Sequence, residues 1–206
     1  VFFVKKHTPS LTGISVMGIG EPLDNFDNVM DFVDIMLYPK GLSFAPRKIT
    51  VSTCGLVPEI EKLTAEHFPC NLAVSLHAPN DILRSDLMPV NKAYPLPVLM
   101  KAVKDFSKKL NKRVALEYVM IKDVNDSVEN AAELAELIGD SNLYVNIIRY
   151  NSSEGDIYEC SDFEQIMRFY DVLKKNDISV TMRRELGSSV NAACGQLRSD
   201  YINNGN

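Results

Sequence analysis

Short apolar runs and longer amphipathic stretches alternate along this chain. The apolar runs, at residues 14–17, 48–52, 71–75, 114–120, 144–148 and 178–182, have the length and β-branched content of strands. Asn-Leu-Ala-Val-Ser (71–75) and Tyr-Val-Asn-Ile-Ile (144–148) are mostly apolar, as buried parallel strands are. Between the runs, the spacing of apolar positions predicts helices over 26–37, 57–67, 97–110, 128–138 and 163–175. Asp162 stands where a cap would precede the last of these. Ser127 precedes another, with Asn130 at the position a capping box usually gives to Glu. Six strands alternating with five helices imply an α/β fold with a parallel sheet, because each return to a parallel neighbour needs a crossover. The pattern alone leaves open whether that sheet is flat or curled. The polar segments, however, all follow predicted strand ends, where parallel α/β folds gather their ligands, and this favours a barrel-like site.

Composition narrows the class without changing the fold. Of 206 residues, 46% are apolar and 24% charged, ordinary for a globular domain with a core. No repeat, low-complexity tract or long Pro/Gly/Ser linker divides the chain, so residues 1–206 read as one unit. No apolar run approaches the ~18 residues of a membrane span, and Val1 to Lys6 do not form a signal peptide. The first residue is Val rather than Met, which points to a fragment. A net charge of −5 argues against a general nucleic-acid coat protein but leaves room for a local basic patch. Cys54, Cys70, Cys160 and Cys194 lie far apart with no CxxC pair. That spacing suits neither a metal knuckle nor a disulfide framework, and a reducing, cytoplasmic setting is expected.

Several segments carry groups that could do chemistry. In Gly18-Ile19-Gly20-Glu21-Pro22, two glycines let a ligand approach the backbone, and polar groups beside Glu21 could hold an ammonium; a plain strand-to-helix turn explains the same residues. Ser52-Thr53-Cys54-Gly55 offers hydroxyls and amides for a carboxylate, or simply a turn that caps the next helix. His77, after Ser75 and Leu76, could be a base, a metal ligand, a hydrogen-bond partner for a sugar, or a structural histidine; without neighbouring ligands it supports no metal site. Cys194 sits among small residues in Asn191-Ala-Ala-Cys-Gly-Gln-Leu197, downstream of Arg183 and Arg184 and close to Arg198. Nearby arginines would favour a thiolate, whereas a buried inert thiol is the commoner fate of a free cysteine. Cys70 reads as core. Lys101, Lys104, Lys108 and Lys112 read as a solvated helix face, and Arg183, Arg184 and Arg198 as the better candidates for RNA phosphate contacts.

Taken in order, these segments resemble the radical S-adenosylmethionine (SAM) adenosine-C2 methyltransferases of ribosomal and transfer RNA, the RlmN family. The resemblance runs from about Ile14 to Arg198 and rests on six motifs in register. They are Met-Gly-Ile-Gly-Glu-Pro-Leu-Asp-Asn (17–25), Thr-Val-Ser-Thr-Cys-Gly (50–55), Ser-Leu-His-Ala-Pro-Asn-Asp (75–81), Glu-Tyr-Val-Met (117–120), Val-Asn-Asp (124–126) and Ala-Ala-Cys-Gly-Gln-Leu (192–197). It implies that Gly20, Glu21 and Ser52 bind the methionyl end of SAM, that Ser75, Leu76 and His77 line the nucleoside side, and that Asn151 completes the pocket. It also implies that Cys194 accepts a methyl group from one SAM, while a second SAM cleaved at a [4Fe-4S] cluster supplies the radical that activates it. A second cysteine would then release the product. The implied partners are 23S ribosomal RNA and transfer RNA, with no membrane.

The departures are as definite. CxxxCxxC, the family's cluster motif, does not occur in these 206 residues. It is expected before Val1, together with the second cysteine and an RNA-binding domain, so the resemblance implies a partial parallel (β/α) barrel of the radical-SAM type that lacks its first strand, and this piece alone should be inactive. Arg149-Tyr-Asn-Ser152 stands where the family has Pro-x-Asn-Pro. A sister family that methylates adenosine C8 shares most of the motifs, although Arg183-Arg-Glu-Leu-Gly187 looks more like the C2 enzymes. A non-catalytic SAM- or RNA-binding remnant is the reading from a different class. An exposed strand edge at 14–17 would invite pairing with a second copy.

Overall fold

All six expected strands are present, each within one residue of its expected bounds: β1 (Ile14–Val16), β2 (Ile49–Thr53), β3 (Asn71–Ser75), β4 (Val114–Met120), β5 (Leu143–Arg149) and β6 (Ser179–Met182). The computed structural model describes residues 1–7, 11–17, 20–152 and 156–183. The helices are α1 (Phe2–His7), α2 (Phe26–Leu37), α3 (Val57–Ala65), α4 (Asp81–Leu87), α5 (Leu96–Leu110), α6 (Val128–Ile138) and α7 (Phe163–Lys175). Neither α1 nor α4 was expected. The second of these is a seven-residue helix opened by Asn80, whose side chain accepts from the Leu83 amide at 3.0 Å.

Strand order decides between an open sheet and a barrel. Every neighbouring pair is parallel and the order is β1-β2-β3-β4-β5-β6, so each crossover advances to the next strand in the same direction. Right-handed crossovers that never reverse place all their helices on one side of the sheet, which is the winding of a (β/α) barrel rather than of a doubly wound fold. Among the described residues, β1 and β6 end the sheet, so the barrel is partial.

The two faces of the sheet differ in chemistry because side chains alternate along each strand. Ile49 and Val51, Leu72 and Val74, Leu116 and Tyr118, and Val145 and Ile147 all enter one core shared with the helices. On α5, Leu99, Val103 and Phe106 are fully buried, each contributing about 1.5–3 kcal/mol relative to exposure. The opposite, concave face is markedly polar. Its register rows read Ser15–Thr50–Asn71, then Ser52–Ala73–Ala115–Tyr144–Ser179, then Ser75–Glu117–Asn146–Thr181. A parallel sheet is normally covered on both sides; here one side carries the groups a ligand could use.

The helix starts correct one expectation and complete another. The Ser127 hydroxyl accepts from the Asn130 amide at 3.1 Å while Asn130 Oδ1 accepts from the Ser127 amide at 3.4 Å, a full capping box with Asn in place of Glu. Asp162 does occupy the N-cap of α7, but its side chain makes no capping bond. Gln165 instead ties that first turn down, donating to the Asp126 carbonyl at 2.5 Å.

Candidate functional site

In a parallel sheet all carboxyl ends lie along one edge, and five of the segments singled out above sit there. Gly20 and Glu21 follow β1, Ser52–Gly55 ends β2, Ser75–His77 ends β3, the 122–126 segment follows β4 and Asn151 follows β5.

Glu21 joins the first two loops. One carboxylate oxygen accepts from the Leu23 amide at 2.9 Å and the other from the Cys54 amide at 2.6 Å. It thereby caps the short 3₁₀ turn Pro22–Asn25, in which Pro22 takes the position where a missing N–H costs nothing. Charged acceptors make such bonds strong, so the loop after β1 is fastened to the end of β2. Both carboxylate oxygens being engaged, an ammonium at this place would meet backbone as well as Glu21. Gly20 supplies that backbone: its φ is 94°, it is exposed, and nothing lies within 4 Å of where a Cβ would stand.

At the end of β2, Ser52 faces the concave side while the Thr53 hydroxyl accepts from the Gly55 amide at 3.0 Å, so the turn belongs to Thr53 and leaves Ser52 available. Gly55 has φ 109°, and a Cβ there would stand 3.1 Å from Leu99 and 3.2 Å from Arg84. Burial and then the Glu21 carboxylate push the Cys54 thiol up to about 12, which favours its protonated form at neutral pH. Cys70 is buried at the start of β3, as expected, and pushed up to about 11 by burial.

His77 is the most informative side chain of the group. It sits in the left-handed region (φ 58°), and its Nδ1 accepts from the Val119 amide at 3.2 Å. An imidazole whose Nδ1 is an acceptor carries its proton on Nε2. Burial, then the nearby positive charge of Arg84, hold its pKa down at about 4. With Nδ1 taken up by Val119 and the pKa held down, the ring is neutral and its Nε2–H is left as a donor. Leu76 is fully buried in the core; its amide donates to the Glu117 carbonyl at 3.0 Å and its carbonyl accepts from Arg84 Nε at 3.2 Å. The Leu76 side chain lies in the core, so this residue meets the edge through its backbone.

Two buried polar residues hold this edge from behind. Asn125, fully buried, donates to the carbonyls of His77 (2.8 Å) and Val119 (2.7 Å) and accepts from the Ile121 amide (2.7 Å), while the Tyr118 hydroxyl donates to its carbonyl at 2.7 Å. The Val-Asn-Asp motif is thus a clamp on the His77 turn. Arg84 on α4, which sequence reasoning passed over, is also fully buried. Its donors reach the carbonyls of Cys54 (2.8 Å), Ser75 (3.1 Å) and Leu76, and the side-chain oxygen of Asn91 (2.9 Å).

Beneath the edge, on the concave face, Asn146 donates to the Glu117 carboxylate at 2.8 Å and its oxygen accepts from the Thr181 hydroxyl at 2.9 Å. Burial raises the Glu117 pKa, opposed by Asn146 and by the charge of Arg183. A cavity of about 450 Å³ opens here, lined by Ser15, Thr50, Asn71, Glu117, Asn146 and Arg183 among others. Asn151 lies exposed beyond β5. Cys194, Arg184 and Arg198 fall outside the described residues. The lysine stripe is not uniformly a solvated face: Lys101 pairs with Asp105 in solvent, but Lys104 and Lys112 donate to the carbonyls of Leu137 and Pro69. Among the described residues no three His, Cys, Asp or Glu side chains gather as a metal site, and no helix is long and apolar enough to cross a membrane.

No protein-family profile matches the chain. A probable dual-specificity RNA methyltransferase RlmN from Listeria welshimeri is 50% identical over 192 residues, 92% of this chain and 52% of the relative. The chain thus spans about half the length of the curated relatives it matches. Among solved structures, a radical SAM methyltransferase from Sphaerobacter thermophilus superposes with a TM-score of 0.89 at 42% identity, over 95% of this chain and 57% of that one. A domain of a pyruvate-formate lyase-activating enzyme from Bacteroides vulgatus, 16% identical with a TM-score of 0.62 over 84% of this chain and 99% of that one, shares the fold alone.

Proposed function

On the premise that this chain is homologous to about half the length of the RlmN RNA methyltransferases, we propose that it is the SAM-holding part of a radical-SAM enzyme that methylates adenosine C2 in 23S ribosomal RNA and transfer RNA. The observation that carries the reading is the convergence of Gly20, Glu21, Ser52, Ser75 and His77 on the carboxyl edge of one parallel sheet, within the span that matches those enzymes. Parallel barrels bind ligands at that edge.

In this reading the open backbone at Gly20, with Glu21 and Ser52, receives the amino-acid end of SAM. Ser75 and the Nε2–H of His77 offer hydrogen bonds to the sugar, with Asn151 at the rim; a neutral imidazole suits that task because it donates without adding charge beside a sulfonium. Cys194 is the methyl carrier. Adenine C2 is an electron-poor carbon, unattractive to direct transfer from a sulfonium, and a [4Fe-4S] cluster in the whole protein supplies radical chemistry instead. The described residues contain no ligand set for that cluster, and the tasks assigned to them are binding and orientation. The target adenosine would be splayed out of its RNA fold to reach the edge, and phosphate contacts are assigned to Arg183, Arg184 and Arg198. The setting proposed is the cytoplasm.

The test is Cys194→Ala in the intact enzyme. Nucleoside mass spectrometry of RNA should show 2-methyladenosine lost while SAM affinity stays within about twofold of wild type, the pattern of a residue acting in chemistry rather than binding. Unchanged 2-methyladenosine would remove Cys194 from the mechanism, and 8-methyladenosine from the unmodified enzyme would move the reaction to the other carbon.

A further inference from the structure

We infer that Arg84 is a positioning residue for SAM, holding the ends of β2 and β3 in the one arrangement that accepts the ligand; the inference rests on the SAM-binding reading above. The guanidinium is fully buried, and of its hydrogen bonds among the described residues three run to backbone carbonyls and one to an amide oxygen, none to a carboxylate. Burying a charge in this way is costly unless its donors are matched in geometry. A purely structural tie between two loops could be made with neutral groups at lower cost, as Asn125 shows at the carbonyl of His77, next to that of Leu76.

The carbonyls that Arg84 holds belong to Cys54, Ser75 and Leu76. They flank the candidate ligand-binding side chains on two strands, with Ser52 two residues before Cys54 and His77 immediately after Leu76. The Cys54 amide is at the same time held by Glu21, so the single peptide segment around Cys54 is gripped from the β1 loop on one side and from α4 on the other. Gly55 packs so closely that an added Cβ would come within 3.2 Å of Arg84 Nη2. Behind the guanidinium, Asn91 accepts one of its bonds and itself donates to Asp81 (2.9 Å) and Ser85 (2.9 Å), which anchors the fork on α4 and the turn beyond it. A planar fork with donors pointing in several fixed directions can bridge carbonyls from two strands at once; a lysine ammonium on its flexible stem cannot.

SAM binding measured by titration calorimetry on the intact protein tests this, using Arg84→Lys, Arg84→Met, Asn91→Ala and a core control, Leu173→Ala, remote on α7. All are assayed at a temperature where circular dichroism shows them folded. Both Arg84 variants should bind SAM at least about tenfold more weakly, and Asn91→Ala should weaken binding by a few-fold, since unpaired buried carbonyls shift to find partners. Both Arg84 variants should also move the His77 imidazole resonances. Leu173→Ala should lower the melting temperature without changing SAM affinity or those resonances, which separates positioning from general stability. A folded Arg84→Lys that binds SAM as tightly as wild type overturns the inference. If the Arg84 variants do not fold, unchanged SAM affinity in Asn91→Ala overturns it. No SAM binding by the unmodified protein sinks the SAM reading and this inference together, whereas binding by wild type with indifferent variants sinks the inference alone.

Discussion

With Nδ1 of His77 engaged by the Val119 amide, protonation would have to break that bond at a half-buried site. The unfolded chain takes up a proton at this histidine near its ordinary value of 6.5, and the folded chain only near about 4. Between those values the unfolded state binds the extra proton, so stability is full above pH 6.5 and falls as the pH drops toward 4, by about 3 kcal/mol at most. Denaturant titrations across that range should show the loss in wild type. It should be reduced by roughly one proton's worth of slope in His77→Asn, a residue that tolerates the left-handed backbone; an identical slope in the variant would refute the assignment. Gly55 illustrates a second local constraint. With φ at 109° and Leu99 and Arg84 against the missing Cβ, Gly55→Ala should destabilise the protein by about 2 kcal/mol, read as a lower denaturation midpoint.

Among the elements, the turn after β4 depends on Asn125 more than on any cap. Its three side-chain bonds close the segment 121–125 and clamp the His77 carbonyl, 48 residues earlier in the chain. Asn125→Ala should cost about 2–4 kcal/mol, and amide exchange at Ile121 and His77 should accelerate beyond what the global loss explains. The strands were legible in the sequence because a β-branched apolar run has few other readings, and β3 and β4 have the expected ends. Helix α4 was not. Its seven residues follow His-Ala-Pro-Asn, which reads as loop, and they are too few to show a helical period. Arg84 was hidden for a related reason: three of its four hydrogen bonds run to backbone carbonyls, which leave no mark in a sequence, whereas a complementary acid would have.

For the molecule as a whole, the strand-end motifs could be placed along one edge from the sequence, but the polar concave face could not. Ile-Thr-Val-Ser-Thr in β2 alternates openly; β4 and β5 look continuous because Ala115, Val119 and Ile148 occupy concave positions beside Glu117 and Asn146. Glu117 is the sharpest sign that this face serves a purpose beyond folding. Burial raises its pKa, so its ionisation weighs against the folded state as the pH rises through the carboxylate range. Glu117→Gln, which removes that charge, is expected to raise the melting temperature at neutral pH. A lower melting temperature would show instead that Asn146 and Arg183 fully compensate the charge.

The unbroken strand order also bears on how the chain reaches its fold. Each strand pairs with the strand next to it in sequence, and the partners in register are never further apart than Ala73 and Ala115. Among the described residues, no strand waits for a partner from far along the chain. As the polypeptide leaves the ribosome, the newest strand can dock on the edge left by its predecessor and become the template for its successor, so that assembly keeps pace with synthesis.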